Sequence, residues 1–393
     1  MPDAVIVSAC RTAIGTAGRG TLAATTAFDL AHVVVAESIQ RAGIDPSQVD
    51  DVILGETLYG GGDVARYAAI TAGMVEVPGV AHNRHCASGM AAVQTAAASV
   101  RAGMDEVVVA GGTHSSSTMP LSRFKVPSTE SWEDPWISPT HPDSPEAPNL
   151  DMSITVGWNS AVAAGITREE MDAWALRSHQ RAIAAIDSGL FEDEIVPVKV
   201  VAKDGSVVTF EVDEHPRRDS SLEKLASLKV LHPEIPGFSI TAGNASGMND
   251  AAAALVVMSA PKAVLEGIEP LGTLRSWASV GVEPAQTGLA PVKAIPKALS
   301  RAGLSLDEVD LFEINEAFAS MCVATIAILG IDPERVNVNG SGCSLGHPVA
   351  ATGARMLVSL IYELRRRGGG VGVAAMCAGG GMGSATVVEV PKP

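Results

Sequence analysis

Five cysteines occur in the 393 residues, at positions 10, 86, 322, 343 and 377. Cys86, in "NRHCASGM", stands where charged residues give way to a small-residue helix read over 87–102. A thiol at a helix N-terminus faces unpaired N–H groups and the positive end of the helix dipole. Such sites bring a cysteine pKa from about 8.5 into the range of roughly 3.5–7.5. The small residues after Cys86 leave room for a substrate carbonyl against the backbone. Taken alone, Cys86 reads equally well as a small buried hydrophobe. Cys377 precedes "AGGGMG", whose glycines can bring backbone N–H groups to a bound oxygen. In isolation, strand-end packing is its simpler account. His347 lies in "LGHP", where the following proline disfavours α conformation at the histidine. That fits a loop histidine ahead of a helix, able to take a proton from a nearby thiol; a satisfied loop histidine is the alternative. Asn315, in "NEAFA", could anchor a water or donate a hydrogen bond, or simply cap a helix. Its neighbour Glu316 could support a loop.

The elements that must hold these residues follow from periodicity. Short β-branched runs ("AVIVSA", "VDDVILGE", "DEVVVAGG") alternate with alanine-rich stretches at 26–42 and 87–102, the pattern of an α/β protein. Residues 120–148 carry seven prolines with Trp132 and Trp136 and read as a long surface loop without regular elements, a candidate lid. A helix is read over 168–189 and a polar strand-like region over 195–212; the α/β pattern resumes at 241–259.

The chain also repeats itself. "RAGIDPSQVDDVILGE" (41–56) matches "RAGLSLDEVDLFEINE" (301–316) at an offset of 260, and "EVVVAGG" (106–112) has a counterpart in "VGVAAMCAGGG" (371–381). Applied to Cys86, that offset lands on Gly346, next to His347. The sequence therefore predicts two copies of one βα unit with an insertion of roughly 120 residues after the first. Pseudo-twofold symmetry would bring the two helix starts toward a shared interface, where a ligand cleft is expected.

Composition narrows the function. A net charge of −16 argues against nucleic-acid binding, which needs a basic footprint, though a phosphorylated small molecule needs only a few local cations. No CxxC pair occurs, so neither a metal site nor a disulfide framework is indicated. The glycine-rich stretches match no dinucleotide or P-loop fingerprint, so neither NAD nor ATP is inferred. No basic leader and no apolar run of about 18 residues is found. The expectation is a soluble cytoplasmic protein with reduced thiols and no membrane partner.

Taken together, "CASG", "TAGNASGMNDAAAALVVMS", "NEAFA", "GCSLGHPVAATG" and "CAGGGMG" resemble the thiolase family in order and approximate spacing, over essentially the whole chain. The Cys–Asn–His–Cys set separates thiolases from ketoacyl synthases, which look like Cys–His–His enzymes, and from hydroxymethylglutaryl-CoA synthases, which look like Glu–Cys–His ones. The resemblance implies an α/β thiolase fold: two pseudo-symmetric βαβαβαββ halves in a layered αβαβα arrangement with an inserted loop domain. The halves would be 1–117 with 245–268, and 269–393; the insert, 118–244, would bind coenzyme A and cover the site.

The same resemblance implies reversible CoA-dependent Claisen chemistry, thiolysis of a 3-oxoacyl-CoA or condensation of two acyl-CoAs. Cys86 would be the acylated nucleophile, and His347 its activator. His347, with a water held by Asn315, would form one oxyanion hole, and the N–H groups of Cys86 and Gly379 the other. Cys377 would be the acid/base at the acetyl carbon. Arg217, Ser246 and Phe318 would contact coenzyme A, with Arg218 and Lys224 as neighbouring alternatives to Arg217. Acyl-CoA and CoA would be substrates, no cofactor would be tightly bound, and the assembly would be a homodimer or homotetramer. A thiolase-like protein that holds acyl-CoA without turnover is the alternative. A decarboxylating condensing enzyme acting on a carrier protein is disfavoured, because Cys377 stands where it would need a histidine.

Several stretches depart from the usual family pattern. "GGTHSSS" (111–117) stands where Gly-Gly-x-Glu-x-Met-Ser is usual, and "QTGLAP" (286–291) has Thr287 and Ala290 in place of methionine and glycine. "VGWN" (156–159) replaces a motif with a glutamate, Ala350 replaces a glycine, and the proline-rich loop lacks a Lys-Met-Gly stretch. These changes point toward a broader 3-oxoacyl-CoA specificity than acetoacetyl-CoA alone.

Overall fold

The computed structural model describes residues 1–59, 62–201 and 205–392. The first half runs β1 (Ala4–Thr12), β2 (Gly15–Thr16), α1 (Ala27–Ala42), β3 (Asp51–Gly55), α2 (Val64–Thr71), β4 (Gly79–His82), α3 (Ser88–Ala102) and β5 (Val107–Ser115). An excursion follows, with β6 (Ser122–Lys125), β7 (Trp132–Trp136), α4 (Asn159–Ala164), α5 (Arg168–Asp187), β8 (Ile195–Val196), β9 (Val198–Val201), β10 (Val207–Phe210) and α6 (Leu222–Ala226). The chain then returns through β11 (Asn249–Ser259) and α7 (Ala260–Glu266). The second half comprises β12 (Gly272–Gly281), α8 (Ala290–Ala302), β13 (Leu311–Ile314), α9 (Ala319–Leu329), α10 (Gly342–Leu345), α11 (Thr352–Arg366), β14 (Gly370–Ala378) and β15 (Met382–Val390).

Strand order β13-β14-β15-β12-β1-β11-β5-β3-β4 reads as one half followed by its mirror. Each half contributes a βαβαβαββ series, except that the third strand of the second half shrinks to a bridge between Phe312 and Val336. The halves join where Val5 and Ile6 pair with Thr273 and Gly272. Alternation along the strands divides the core. On β1, Ala4, Ile6 and Ala9 face α3 and α11, while Val5, Val7 and Cys10 face α1, a period of two whose phase is shifted by the irregularity in pairing between Ile6 and Ser8. A third cluster packs α5, α8 and α9 on the outer side of the second half. Three helical layers thus enclose the two half-sheets, the αβαβα layering expected.

α3 and α11 meet through reciprocal glycines. A Cβ on Gly89 would stand 2.6 Å from the Ala350 carbonyl oxygen, and one on Gly353 would stand 2.5 Å from Met90 Cβ. This contact sets the true correspondence of the halves. Gly89 matches Gly353, so Cys86 matches Ala350, and the position matching His347 is Asn83. The constant offset that paired Cys86 with Gly346 holds as far as β3 and β13. It fails beyond them because the second half carries extra residues ahead of α11.

The proline-rich stretch is not devoid of regular structure. β6 and β7 form an antiparallel hairpin, with Phe124 stacked on Trp136 at 5.1 Å between centroids. Pro135 fits because a two-stranded exposed ribbon tolerates a missing N–H. The helix and strands expected at 168–189 and 195–212 are α5 and β8–β10, with residues 202–204 outside the described ones. The excursion is pinned to the first half by a buried ion cluster. Arg11 donates to Glu194 at 2.6 Å and to Asp213 at 2.8 and 2.9 Å.

Candidate active site

Cys86 occupies a tight turn. Ala87 N–H donates to the Arg84 carbonyl at 3.0 Å and Ser88 N–H to that of His85 at 3.0 Å, with His85 at φ +46°. Gly89 N–H is taken by Ala350 O across the half-to-half interface at 2.9 Å. The amides that were to stabilise a thiolate are therefore already engaged. The Cys86 pKa is pushed up to about 11 by burial of the thiol, offset in part by the Gly379 N–H. Desolvation outweighs the helix end, so the expectation of a lowered pKa is overturned. The resting sulfur is a thiol, with the N–H groups of Gly379 and of Cys86 itself bearing on it.

Cys377 lies one residue before the end of β14, opposite Gly383, its Sγ 3.4 Å from Met321 Sδ. Burial first, and then Cys86, push its pKa far up, so the two sulfurs lie within electrostatic reach of each other. The glycine turn that follows is clamped from two sides. Gly381 N–H donates to Thr287 Oγ1 at 3.0 Å, and the carbonyl of Thr140, from the proline-rich stretch, packs on Gly380.

His347 is held by its own backbone and by one ring nitrogen. Its N–H donates to Asn249 Oδ1 at 3.0 Å, and Nδ1 lies 2.7 Å from Thr352 Oγ1. The Thr352 hydroxyl donates to the Pro348 carbonyl, which favours the imidazole proton on Nδ1, and Nε2 has no partner. Burial, followed by His114 and Arg355, lowers the His347 pKa to about 3. Gly346 must be glycine: φ is +102°, and the Asn249 amide fills the space a Cβ would take.

Asn315 extends β13, its N–H donating to Ala375 O at 2.9 Å, and its side-chain nitrogen stands 3.5 Å from His347 Nδ1. Glu316 beside it is a buried hub. It accepts from Trp174 Nε1 at 2.8 Å, Ser178 Oγ at 2.6 Å, Asn337 Nδ2 at 2.8 Å and Cys343 N–H at 3.0 Å. The excursion helix α5 thus fixes the loop that carries Asn315.

Among the described residues six buried side-chain polar atoms have no hydrogen-bond partner. Four belong to His347 (Nε2), Asn315 (Oδ1), His114 (Nδ1) and Arg355 (Nε), the groups gathered about His347. Buried orphans are rare because each costs about 1–3 kcal/mol. Their concentration marks this as the place where a ligand would complete the bonding.

Arg217 and Ser246 line one cleft of about 860 Å³ with Lys224, Leu228 and Met248, and Cys343 forms part of its wall. Phe318 does not line it; the ring packs on Gly157, and its backbone bridges Ala245. Arg218 is turned away to Asp187 at 2.6 Å, and Lys224 is held by Asp219 at 2.7 Å. The same cleft is lined by Arg19, His179 and His215, which sequence reasoning missed. Arg19, a cation inside the glycine-rich "TAGRGT", was the available signal.

Family models for the thiolase N-terminal domain and the thiolase C-terminal domain match residues 4–261 and 268–390. The chain belongs to the thiolase family. An acetyl-CoA acetyltransferase of Syntrophomonas wolfei is 43% identical over 98% of this thiolase and 99% of the relative. A 3-ketoacyl-CoA thiolase of Bacillus subtilis is 39% identical over 99% of this chain and 100% of its own. The crystal structure of the Bacillus anthracis acetyl-CoA acetyltransferase superposes with a TM-score of 0.93 at 42% identity, covering 100% and 99% of the two chains. This thiolase is an acyltransferase, and the reading as a non-catalytic binding protein is not favoured. Its departures from the family pattern have structural duties. Thr287 anchors Gly381, Asn159 donates to Glu146 O and Ala285 O, and Ala350 supplies the carbonyl that caps Gly89.

Proposed function

We propose that this thiolase cleaves 3-oxoacyl-CoA by ping-pong transfer through Cys86. His347 Nε2 takes the Cys86 proton as the sulfur attacks the 3-oxo carbon. The bond between C2 and C3 breaks, and Cys377 protonates C2 to release acetyl-CoA. The thiol of CoA then gives its proton to Cys377 and attacks the acyl thioester, while Cys86 recovers its proton from His347. The shortened acyl-CoA leaves, and condensation is the reverse. Charge on the two carbonyl oxygens would be met by His347 with an Asn315-held water, and by the N–H groups of Cys86 and Gly379.

The observation that carries this reading is the bare Nε2 of buried His347, with Asn315 beside it. Two thiols within electrostatic reach of each other, with the Gly379 amide bearing on Cys86, support the division of labour between Cys86 and Cys377. Arg217 and Ser246 would hold coenzyme A in the cleft with Arg19, and Phe318 would back the pantetheine arm. Residues 118–244 would bind coenzyme A and cover the site, between halves at 1–117 with 245–268 and at 269–393.

The substrate range is proposed to be broader than acetoacetyl-CoA, given Thr287 and the altered cover stretch. The relatives carry both kinds of name. Steady-state thiolysis of a 3-oxoacyl-CoA length series tests this. Comparable or higher kcat/KM for longer chains is expected, and a clear preference for acetoacetyl-CoA would refute it. We further propose a cytoplasmic homodimer or homotetramer without a tightly bound cofactor, with Tyr67, Ile70 and Val80 exposed beside edge strand β4 as apolar surface for assembly. Light scattering after size exclusion reads this directly; a monomer refutes it.

A further inference from the structure

His114 lies at the end of β5, opposite Ala251 of β11, and is 1% exposed. Its Nε2 is 3.1 Å from Ser116 Oγ, and the Ser116 hydroxyl donates to the Asn249 carbonyl at 3.2 Å. The hydroxyl proton being committed, Nε2 carries its own proton and Nδ1 is a bare acceptor with no partner. Asn249 in turn receives the His347 N–H on its side-chain oxygen and donates to Gly15 O at 3.0 Å. A continuous run of hydrogen bonds therefore links His114 in the first half to the backbone of His347 in the second.

The groups around His347 that carry or can carry charge are few. Arg355 on α11 is paired with Glu313 of β13 at 2.7 Å, and His114 is the other. Tyr59 stands beside His114, its ring edge-on at 6.3 Å, while Asp250 of β11 pairs across from the next residue, Ser115, and is held by Ser117. Positive charge on His114 opposes protonation of His347, and burial holds His114 itself neutral, its pKa lowered to about 4. A carboxylate in this position, as in the Gly-Gly-x-Glu-x-Met-Ser pattern that "GGTHSSS" replaces, would do the reverse and favour the imidazolium.

We propose that His114 is a positioning residue for His347, holding its backbone through Ser116 and Asn249 and presenting an imidazole where a carboxylate would attract a proton. His347 thereby stays neutral and ready to accept the Cys86 proton into mildly acidic conditions. This inference rests on the proposed role of His347.

The test is the pH dependence of thiolysis kcat/KM from about pH 4 to about pH 9 for wild type, His114→Gln and His114→Glu. The acid limb of His114→Glu should move up by about one unit from a wild-type limb at about 3, so that at about pH 4 it keeps about half of its own alkaline plateau where wild type keeps about nine-tenths. His114→Gln should keep the wild-type limb. A merely structural role would lower both plateaus and leave both limbs in place, and that result overturns the electrostatic half of the proposal. Ser116→Ala leaves the imidazole but cuts the link. It should lower kcat severalfold with KM and limb unmoved, and an unchanged kcat overturns the positioning half. Intact mass after incubation with acetyl-CoA separates this inference from the catalytic reading. Wild type without an acyl group on Cys86 removes the reading itself, whereas acylated wild type with coincident limbs removes only the role of His114.

Discussion

The turn ahead of α3 and the turn ahead of α11 hold matching places in the two halves, yet they have diverged in opposite directions. What is shared is packing: Gly89 and Gly353 let the helices touch, and neither can grow a side chain without displacing its neighbour. What differs is the loop. The first half offers a thiol at Cys86, where the second has Ala350, and the second offers an imidazole at His347, where the first has Asn83, whose side chain merely closes a turn on the His85 N–H. A duplicated frame thus keeps symmetry where backbones meet and abandons it a few residues upstream. The groups proposed to react are complementary because the halves are not identical there.

The largest effects should come from removing either member of that complementary pair. Cys86→Ala should lower thiolysis by roughly 10⁴-fold or more and abolish acylation seen by intact mass. His347→Ala should cost about 10³-fold while leaving acylation slow but detectable. Equal effects would mean that the two turns do not divide nucleophile and base as proposed.

Stability should separate the turns next. Gly346→Ala meets both a positive φ and the Asn249 amide, and should destabilise by about 3 kcal/mol. Gly89→Ala meets the Ala350 carbonyl at 2.6 Å and Ala354 at 3.3 Å without a positive φ, and should cost about 2 kcal/mol. Urea melts read both, and a reversed order would show that the helix contact, not the histidine turn, is the tighter constraint.

A smaller and pH-linked difference follows from buried imidazoles. Burial lowers His114, His179 and His215 to about 4 and His347 to about 3, against about 6.5 in an unfolded chain. Below about pH 6.5 the unfolded chain binds protons that the native one refuses, so stability falls as pH drops toward about 4. His114→Gln should flatten that slope by about one proton; an unchanged slope would argue that His114 is already charged. The smallest effect concerns the cleft. Arg217→Ala should raise the KM for CoA severalfold. Arg218→Ala should not, because that guanidinium is occupied by Asp187.

Much of this was legible in the chain. The repeat announced two halves, strand periodicity placed β1, β3 and β5, and the residues flanking glycine and proline marked the turns of Cys86, His347 and Cys377. The misreadings have physical causes. The Cys86 pKa depends on whether helix amides are free and how dry the sulfur is, and neither is a property of neighbouring residues in sequence. The β6–β7 hairpin was hidden because proline content signals lost hydrogen bonds, which an exposed ribbon can afford. Extra residues ahead of α11 shifted the repeat's register, and only the glycine contact reveals the correct pairing. His114 and Arg19 were visible as residue types, but His347, on which His114 bears, and His179, His215 and Arg217, which share the cleft with Arg19, lie more than a hundred residues away.

The pairing of β1 has a consequence for how the chain is made. Its strand partners are β8, β11 and β12, all synthesised after residue 194. Apart from the short pairing of Arg11 and Thr12 with β8, the first strand to leave the ribosome therefore waits until roughly two-thirds of the polypeptide exists. Until β11 emerges, β1 and β5 are both open edges, and a nascent chain halted at residue 248 would carry two apolar strand edges with nothing between them. Such a fragment should aggregate or recruit holding chaperones, whereas one halted after Ser259 can close its first half-sheet.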